Sequence, residues 1–552
     1  MNILFIDIDT LRPDHMGCYG YARNTTPNMD AIASEGVRFS NYYCSDAPCL
    51  PSRASLVSGL LGIRNGAVGH GGTAADMRII GAGRSFRDDN NMNNLWNIFR
   101  KAGMYTASIS TFAERHSSYW FNAGFNEMYN VGKGGAESGE LVLPVALDWL
   151  ERNGISRGAA PGFSGSNIRS ECCAPYRDER GAGWFLHLHL WDPHTPYRAP
   201  AEFGNPFKDE PLDNWIDGDV LKLHLSHVGP HSANEINMYD SDESDEYPRH
   251  PGSIKDAAGL KRLFDGYDCG VRYADELIGK VFDKLKALGI YDDTAIIITS
   301  DHGENMGELG IYAEHATADH ATCHIPMIIK WPGIEAGSMN CGLYYNIDLA
   351  PTMADLLGVV PNKNWDGISY AAAIVGEGKG DDGTGAPNGA GGTSMQVANN
   401  ASGTSMRVAN SAGGVPCRAG GREYLVLSQM AHVCQRSVRF GDWLYIRTYD
   451  DGLHLFDKEM LFNIKEDPYE QKNVAAEKEA ICCRGAKYLL DWFDNMMAIS
   501  DSTIDPMQTV LKEGGPLHSR GHLESYCKRL EATGRAEGAA LLRKRRETGW
   551  LF

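Results

Sequence analysis

The chain has 552 residues, of which 43% are hydrophobic and 22% are charged, as is usual for a globular protein with room for more than one domain. Its formal net charge of −19 argues against a nucleic-acid partner, because surfaces that bind phosphate backbones are basic. An anionic substrate remains compatible with this charge if a local group of cations holds it. No run approaches about 18 apolar residues, so we expect no transmembrane helix and no membrane partner.

The first residues, MNILFIDID, enter a strand pattern directly. They lack the basic region and the small-residue cleavage site of a signal peptide. The 13 cysteines form neither CxxC pairs nor a regular framework. We therefore expect mostly reduced thiols and a cytoplasmic protein.

Short apolar runs alternate with helical patterns as far as about residue 360. We predict strands at 2–9, 105–111, 183–192, 294–303 and 325–333, and helices at 27–36, 93–103 and 259–289. Strands that alternate with helices indicate an α/β fold, with a large and mostly parallel sheet sandwiched by helices. In such sheets the functional residues gather at the carboxyl ends of the strands.

Changes in composition divide the chain into four parts. We predict an α/β catalytic domain at 1–370, and an insertion or linker rich in Gly, Ser and Asn at 371–420, where a near-repeat spans 392–413. Residues 421–500 predict a small antiparallel sheet with a packed helix, and 501–552 a helical tail. The tail ends in a basic run that we predict as one helix over 524–547. We assign it no function, since such runs are usually solvated faces.

Polar residues follow three of the predicted strands. Asp7 and Asp9 share one face of the first strand, His194 follows another strand, and Asp301 and His302 follow a third. Carboxylates placed together are costly unless a cation or hydrogen-bond donors satisfy them. Oxygen ligands with one imidazole suit Ca²⁺, Mg²⁺ or Mn²⁺. We predict one divalent cation site, although Asp301 alone would also suit a helix cap.

The stretch DAPCLPSRASLVSG places Cys49 between two prolines and just before a helical pattern. Pro51 suits the first turn of a helix, whose free N–H groups would favour an anion near residue 49. Arg53 adds a permanent charge that can bind sulfate or phosphate oxygens. On these residues alone, Cys49 is either a thiolate nucleophile or a small buried hydrophobic side chain.

The string CLPSR followed by ASLVSG resembles the signature of the type I sulfatases, within the alkaline-phosphatase-like superfamily. The strings LFIDIDTLRPDH, WDPHTPY, TSDHGENMGELG, IPMIIKWPG and LFNIKEDPYEQKNVA are similar to that family's and lie in its order. The resemblance implies hydrolysis of an organic sulfate, such as a sulfated sugar or an aryl sulfate. It also implies that a sulfatase-maturing enzyme recognises CLPSR and converts Cys49 to formylglycine, whose hydrate is the nucleophile.

The same resemblance implies a ligand set for the cation. Asp9, Asp301 and His302 would bind it together with the formylglycine at residue 49, with Ca²⁺ as the first choice and Mg²⁺ or Mn²⁺ as alternatives. Many sulfatases carry two adjacent aspartates where this chain has Asp9 and a threonine. Asp7 is therefore a further candidate ligand, ranked behind the others because it lies deeper in the strand.

Two more roles follow from the resemblance. Arg53 would help to hold the sulfate and to lower the pKa of the nucleophile, and His194 would hydrogen-bond the sulfate or protonate the leaving oxygen. The intact CLPSR string argues against a catalytically silent binding protein. The substrate expected is a small sulfated molecule, and the sequence leaves the oligomeric state open.

The chain departs from the family at two positions that are usually lysine. The segment STFAER (110–115) stands where the family has a G-K-W-H string, which puts Ser110 and Thr111 near the first of them. Glu314 stands at the second, which makes His315 the nearest replacement cation. Thr111 and His315 are thus candidate catalytic residues. The losses resemble the phosphonate monoester hydrolase and phosphodiesterase branch, which stays the alternative function.

Overall fold

The fold is taken from a computed structural model that describes residues 1–78, 88–132, 134–154, 183–212, 215–376, 417–418 and 420–548. The near-repeat at 392–413 and most of the predicted insertion lie outside these residues. The division of the chain at residues 370, 420 and 500 therefore stays a prediction.

The strands occur in two main sheets and two short pairs. In chain order the described strands are β1 Asn2–Ile8, β2 Val37–Phe39, β3 Tyr42–Tyr43, β4 Asp46–Ala47, β5 Tyr105–Ile109, β6 Glu127–Tyr129, β7 Trp184–Leu190, β8 Thr294–Thr299, β9 Asn305–Met306, β10 Tyr312–Glu314, β11 Met327–Lys330, β12 Ser338–Asn340, β13 Tyr344–Tyr345, β14 Cys417–Arg418, β15 Tyr424–Gln429, β16 Cys434–Phe440, β17 Trp443–Asp450 and β18 Glu459–Asn463.

The helices alternate with these strands through the first two thirds of the chain. The described α-helices are α1 Pro27–Glu35, α2 Cys49–Ser58, α3 Gly62–Asn65, α4 Asp89–Met92, α5 Leu95–Lys101, α6 Phe112–Arg115, α7 Gly139–Asn153, α8 Gly218–Ser226, α9 Ala257–Ala287, α10 His320–Cys323, α11 Leu349–Leu356, α12 Ala371–Val375, α13 Glu479–Ile499, α14 Pro506–Lys512, α15 Leu523–Ala532 and α16 Ala536–Glu547.

The large sheet has the strand order β14-β12-β2-β11-β8-β1-β7-β5-β6 in the described chain. β1 lies between β7 and β8 and is parallel to both, and β5 continues the parallel arrangement between β7 and β6. β11 runs antiparallel to both of its neighbours, β8 and β2. The prediction of an α/β fold with a large and mostly parallel sheet is confirmed, and the strand predicted at 325–333 is an antiparallel member of it.

Alternation along β1 separates the two faces of this sheet. Ile3 and Phe5 join the core on one face, with residues of α2, α5 and α11. Leu4, Ile6 and Ile8 join the core on the other face, with residues of α1, α7 and α9. Because successive side chains of a strand point to opposite faces, Asp7 belongs to the face of Ile3 and Phe5. Helices cover both faces, as expected for a parallel sheet.

The smaller sheet has the order β18-β17-β16-β15-β4. Its four C-terminal strands are antiparallel, and α13 packs on them through Cys482, Leu489 and Trp492. The predicted antiparallel sheet with a packed helix is thus confirmed. Its fifth strand, β4, comes from the N-terminal part of the chain and pairs in parallel with β15. Because β4 ends just before Cys49, this pairing ties the small sheet to the beginning of α2.

The prediction of one long helix over 524–547 is wrong. The structure has two helices, α15 and α16, separated at Gly534, whose φ of +81° lies in the left-handed region that glycine adopts readily. Leu530 and Leu542 pack against each other's helix in a small core. Arg546 contacts Asp450 at 3.1 Å, so part of the basic run is used in ion pairs within the chain.

The cysteines agree with the expectation of mostly reduced thiols. Nine cysteines of the described chain are free, and Cys341 is disulfide-bonded. The cytoplasmic location expected from the sequence stays a prediction. Among the described residues, none of the helices combines the length and the apolar character needed to cross a membrane.

A buried carboxylate fixes the tail to the loop that follows α8, and this gives a prediction. Glu235 is fully buried, accepts a hydrogen bond from Tyr526 at 2.7 Å, and contacts Arg535 at 2.5 Å. We expect Glu235→Ala to lower the free energy of unfolding by about 3 kcal/mol, because it leaves buried donors and a cation without their partner. Urea denaturation measures this, and limited proteolysis should show earlier cleavage within residues 501–548.

The control for this prediction is Glu524→Ala, which removes an exposed contact between Glu524 and Arg543 in the same pair of helices. Exposed ion pairs contribute about 0–1 kcal/mol, so the control should unfold nearly as wild type does. Equal losses of stability in the two variants would contradict a fixing role for Glu235.

Candidate active site

The polar residues after β1 and β8 meet at one edge of the large sheet. Asp9 directly follows β1 and its N–H donates to the carbonyl of Leu190 at the end of β7 (2.9 Å). The N–H of Thr10 donates to Asp301, which follows β8, at 3.3 Å. Thr10 has a φ of +57°, which is uncommon for a residue with a side chain and turns the chain away from the strand. The predicted gathering of strand-end residues is therefore present.

Cys49 is the first residue of α2 and is only 1% exposed. As the sequence predicted, Pro51 lies in the first turn of this helix. The hydroxyl of Ser52 donates to the carbonyl of Asp301 at 2.6 Å, and Asn346 donates to the carbonyl of Ser52 at 3.1 Å. These bonds attach the beginning of α2 to the end of β8, so the side chain of Cys49 is held over the strand ends.

Arg53 lies one turn further along α2 and is completely buried among carboxylates. Its Nε donates to Asp7 at 3.0 Å, and its Nη1 donates to Asp9 at 3.1 Å and also to Asp301. Its Nη2 contacts Nε2 of His189 at 2.8 Å. In this arrangement the guanidinium orders the carboxylates, and its proposed contact with a substrate anion stays a prediction.

The four residues that the resemblance assigns to the cation converge. One ligand atom each of Asp9, Cys49, Asp301 and His302 lies within 4.8 Å of the other three, and all four residues are buried. Oδ1 of Asp9 is buried without a hydrogen-bond partner. Nδ1 of His302 lies 2.8 Å from the carbonyl of Gly303, which fixes the proton on Nδ1 and leaves the lone pair of Nε2, 3.1 Å from Sγ of Cys49, as a possible ligand.

The charges of this cluster also fit a divalent cation. Three buried carboxylates, those of Asp7, Asp9 and Asp301, contact a single guanidinium, that of Arg53. Burial of unbalanced charge is costly, and one divalent ion would offset the two remaining negative charges. The residues present therefore fit the predicted ion.

Asp7 lies outside the group of four. Its Oδ2 contacts Arg53 at 3.0 Å and Nε2 of His187 at 3.7 Å. The structure thus places Asp7 beside the residues that orient the cluster, one strand repeat deeper than Asp9. Its role as a ligand stays a prediction.

The protein groups alone favour a neutral side chain at residue 49. Burial raises the pKa of the Cys49 thiol to about 12, and the carboxylates of Asp9 and Asp301 add to this rise. Burial likewise raises the pKa of Asp301 well above its usual range, with Arg53 opposing the rise and Asp9 adding to it. A plain thiolate nucleophile is therefore poorly supported by the residues around Cys49.

His194 lies beside Asp9, with its Nε2 4.0 Å from Oδ1 of that residue. Burial lowers the pKa of His194 to about 3, so the ring is neutral at neutral pH. Nδ1 lies 2.5 Å from the carbonyl oxygen of Thr195 and therefore carries the proton, which leaves Nε2 as a hydrogen-bond acceptor.

His315 lies near both Cys49 and the buried carboxylate of Glu314. Its ring centroid is 4.2 Å from that of His302 and 5.3 Å from that of His194. Its Nε2 contacts Glu314 at 2.9 Å. Although burial opposes the charge, Glu314 raises the pKa of His315 well above its usual range, which favours the protonated ring. A group that favours a positive charge is thus present near residue 49.

Thr111 is buried, but its hydroxyl accepts a hydrogen bond from Nε1 of Trp191 at 2.7 Å rather than contacting the cluster. Its neighbour Ser110 contacts Nδ1 of His189 at 3.0 Å and so supports a histidine that faces Arg53. Ser110 is thus linked to Arg53 through His189, whereas the catalytic role of Thr111 stays a prediction.

Two histidines of β7 were not recognised in the sequence. His187 and His189 alternate with leucines in WFLHLHL, and their strand lies parallel to β1 with Asp7 directly opposite His189. Two histidines two residues apart on a strand share one face, which was an available signal. A wall of further histidines was also missed, and it consists of His70, His116, His432 and His518. It is assembled from distant segments, for which local sequence carries no signal.

Comparison with known proteins agrees with this geometry. The Sulfatase family model matches residues 1–359. The multifunctional alkaline phosphatase superfamily protein PehA of Trinickia caryophylli is 27% identical over 69% of this chain and 78% of its own length. The choline-sulfatase of Rhizobium meliloti is 25% identical over 68% of this chain and 72% of its own length.

Solved structures share the fold. A 2-O GAG sulfatase superimposes with a TM-score of 0.60 at 18% identity, covering 91% of this chain and 92% of that one. A phosphonate monoester hydrolase from Silicibacter pomeroyi superimposes with a TM-score of 0.56 at 20% identity, covering 92% of this chain and 97% of that one. The predicted resemblance is confirmed: this chain belongs to the sulfatase family and is a hydrolase of sulfuric ester bonds.

Proposed function

We propose that this enzyme hydrolyses a small organic sulfate with a formylglycine nucleophile made from Cys49 and with one bound divalent cation. The observation that carries the proposal is the convergence of Cys49, Asp9, Asp301 and His302 within 4.8 Å. Cys49 also begins α2, where free backbone N–H groups favour an anion.

Formation of the nucleophile needs a maturing enzyme that acts on the CLPSR string. The Cβ–S bond of Cys49 breaks, sulfur leaves as hydrogen sulfide, and the oxygen of water becomes the aldehyde oxygen. Two electrons and two protons pass to a two-electron oxidant that the maturing enzyme supplies. Hydration of the aldehyde then gives two hydroxyl groups on Cβ. The high pKa of the unmodified thiol supports this route over thiolate catalysis.

The two hydroxyls have separate tasks in the hydrolysis. One attacks the sulfur of the substrate, the bond from sulfur to the leaving oxygen breaks, and the leaving group departs as an alcohol after taking up a proton. The other hydroxyl then passes its proton to water, the aldehyde C=O bond re-forms, and the sulfate is expelled from Cβ. Water restores the hydrate. A serine at residue 49 has one hydroxyl and would remain as a stable sulfate ester.

The chain offers distinct groups for proton transfer and for binding. Nε2 of His194 is an acceptor, so it can take the proton of the attacking hydroxyl and return it to the leaving oxygen. His315, held by Glu314 at 2.9 Å, replaces the missing lysine as a positive group for the sulfate oxygens. Arg53 holds the carboxylates in place and adds its charge to the site.

Asp9, Asp301 and His302 would hold the cation, with the modified residue 49 as a further ligand. A divalent ion there would act as a Lewis acid that polarises a sulfate oxygen and favours deprotonation of the nucleophile. Three oxygen ligands and one imidazole suit Ca²⁺, our first choice, with Mg²⁺ or Mn²⁺ as alternatives.

Relatives support a small sulfated substrate without identifying it. They include a choline-sulfatase and an N-acetylglucosamine-6-O-sulfatase of Bacteroides thetaiotaomicron, the second 26% identical over 68% of this chain. We propose a sulfated sugar or an aryl sulfate as the substrate class. The alternative is a phosphonate monoester or phosphodiester, and the observation that favours it is Ser110 and Glu314 at positions where sulfatases usually have lysine.

One prediction tests the proposed hydrolysis of sulfate esters. The full-length protein, expressed together with a maturing enzyme, should release sulfate from aryl sulfates or sulfated sugars at least about 100-fold faster, in kcat/KM, than it cleaves phosphodiesters or phosphonate monoesters. A difference of this size in kcat/KM would show that the site binds the transition state of sulfate transfer better than that of phosphoryl transfer. Peptide mass analysis across residue 49 should show the aldehyde in place of the thiol.

Two variants are matched controls for this experiment. Cys49→Ala should lose activity by about 10³-fold or more, and Cys49→Ser should retain sulfate covalently on residue 49 after one turnover. A faster rate with phosphodiesters would favour the alternative function. Full activity in protein whose Cys49 is unmodified would refute the formylglycine mechanism.

A further prediction separates the residues that would bind the cation from those that only contact these ligands or Arg53. Asp9→Asn removes a candidate ligand and should abolish activation by Ca²⁺ or Mn²⁺ after chelation. Asp7→Asn removes a contact to Arg53 and His187, so it should raise the metal concentration needed for activation by only about 10–100-fold, as outer contacts usually do. Metal titration of chelator-treated enzyme measures both effects. Equal losses in the two variants would place Asp7 among the ligands.

A further inference from the structure

A second group of possible metal ligands shares no residue with the four that are proposed to hold the cation beside residue 49. One ligand atom each of His231, Glu314 and His432 lies within 4.8 Å of the other two. Nε2 of His231 is 3.3 Å from Oε2 of Glu314, and Nε2 of His432 is 3.6 Å from Oε1 of Glu314. The three residues are between 4% and 8% exposed, so the group is shielded from solvent.

The three side chains come from segments that are far apart in sequence. His231 lies in the loop between α8 and α9, Glu314 is the last residue of β10, and His432 lies in the turn between β15 and β16. A ligand held by all three would join the catalytic part of the chain to the small C-terminal sheet.

The proton arrangement of His231 leaves a ligand atom unsatisfied. Its Nδ1 is 2.8 Å from the carbonyl oxygen of Ile236, an acceptor only, so Nδ1 must carry a proton. Nε2 is buried and has no hydrogen-bond partner, although it faces the carboxylate of Glu314. A lone pair facing a carboxylate is repulsive unless a cation lies between them. A backbone carbonyl on the far nitrogen is also the usual support of a metal-bound histidine.

The backbone holds the three groups in place. The N–H of His231 donates to Met238 at 3.0 Å, and its carbonyl accepts from the N–H of Tyr312 at 2.9 Å, two residues before Glu314. The N–H of His432 donates to the side chain of Gln429 at 3.1 Å, and its ring stacks on His518 with centroids 4.2 Å apart. The site is therefore built into the fold rather than formed by mobile surface side chains.

We propose that His231, Glu314 and His432 bind a second divalent ion, of the first-row transition series. Two imidazole nitrogens and one carboxylate oxygen suit Zn²⁺, Mn²⁺, Fe²⁺ or Co²⁺, whereas the oxygen-rich group around Asp9 suits harder ions. The competing occupant is a proton, which would leave only an ion pair between a buried imidazolium and Glu314.

An ion at this position would also act on the active site through one carboxylate. Oε2 of Glu314 faces His231, whereas its Oε1 contacts Nε2 of His315 at 2.9 Å. The carboxylate thus bridges the proposed ion and the cation beside residue 49. Glu314 is a positioning residue for His315 in this arrangement.

The test compares Co²⁺ binding by the full-length, chelator-treated protein in three forms: wild type, the double variant His231→Gln/His432→Gln, and the control His324→Gln. His324 packs on His320 and contacts the carbonyl of Ser40, away from both groups of ligands. We expect the double variant to bind about one Co²⁺ fewer per chain than wild type and to lose the part of the visible absorption that this second ion contributes. The control should equal wild type.

Because the difference is counted against wild type, the result does not depend on the ion proposed at Asp9 and Cys49. A folded double variant, shown by its melting curve, that binds as many Co²⁺ ions as wild type would overturn the proposal and leave the protonated ion pair.

A second measurement uses the unaltered protein, in case the double variant does not fold. Anomalous scattering at the cobalt edge, from wild-type crystals soaked in Co²⁺, should show a peak between the two imidazoles and Glu314. The two sites would appear as separate peaks, so loss of one is distinguishable from loss of the other. A refined, well-ordered site with no anomalous peak at this position would refute the second ion.

Discussion

The structure depends on a single buried guanidinium that contacts three carboxylates. Arg53 is completely buried, and Asp7, Asp9 and Asp301 all lie within hydrogen-bond distance of it. In a medium of low dielectric constant, each carboxylate would repel the others strongly without this charge. The α/β sheet allows the carboxylates to gather around one guanidinium, because adjacent parallel strands place their carboxyl ends side by side. Cys49 takes its position from α2, which also carries Arg53.

The small sheet completes this arrangement. In this sheet β4 pairs in parallel with β15. The pairing fixes Asp46 and Ala47, which precede Cys49 with the cis-proline Pro48 between them. Asp46, on β4, accepts hydrogen bonds from the hydroxyl of Ser55 in α2 and from the N–H of Gly62 at the start of α3, so this side chain ties both helices to the small sheet. The C-terminal sheet is therefore part of the active-site scaffold, and His432 reaches the catalytic region from one of its turns.

Much of the site follows from sequence because it is built from local patterns. Alternation in β1 places Asp7 and Asp9 on one face, and the residues after an apolar strand place Asp301 at the same edge. His187 and His189 obey the same alternation, yet nothing in β7 alone indicates that β1 is its neighbour. The split of the C-terminal helix is likewise local, since Gly534 marks it. The contacts of His231 and His432 depend on loop packing, which has no periodic signal.

Glu314 and His315 form a buried pair at the place where the proposed function needs a positive group. A lysine carries its own charge, whereas the pKa of the His315 imidazole is raised here because a buried carboxylate lies 2.9 Å away. The charge is then held by a rigid ring whose position is fixed by β10, and its protonation depends on what Glu314 contacts on its other side. Glu314 by itself would be an unfavourable buried anion. Beside His315, it instead favours a positive charge near residue 49. In the proposed function, this pair would take the place of one long flexible side chain beside the bound anion.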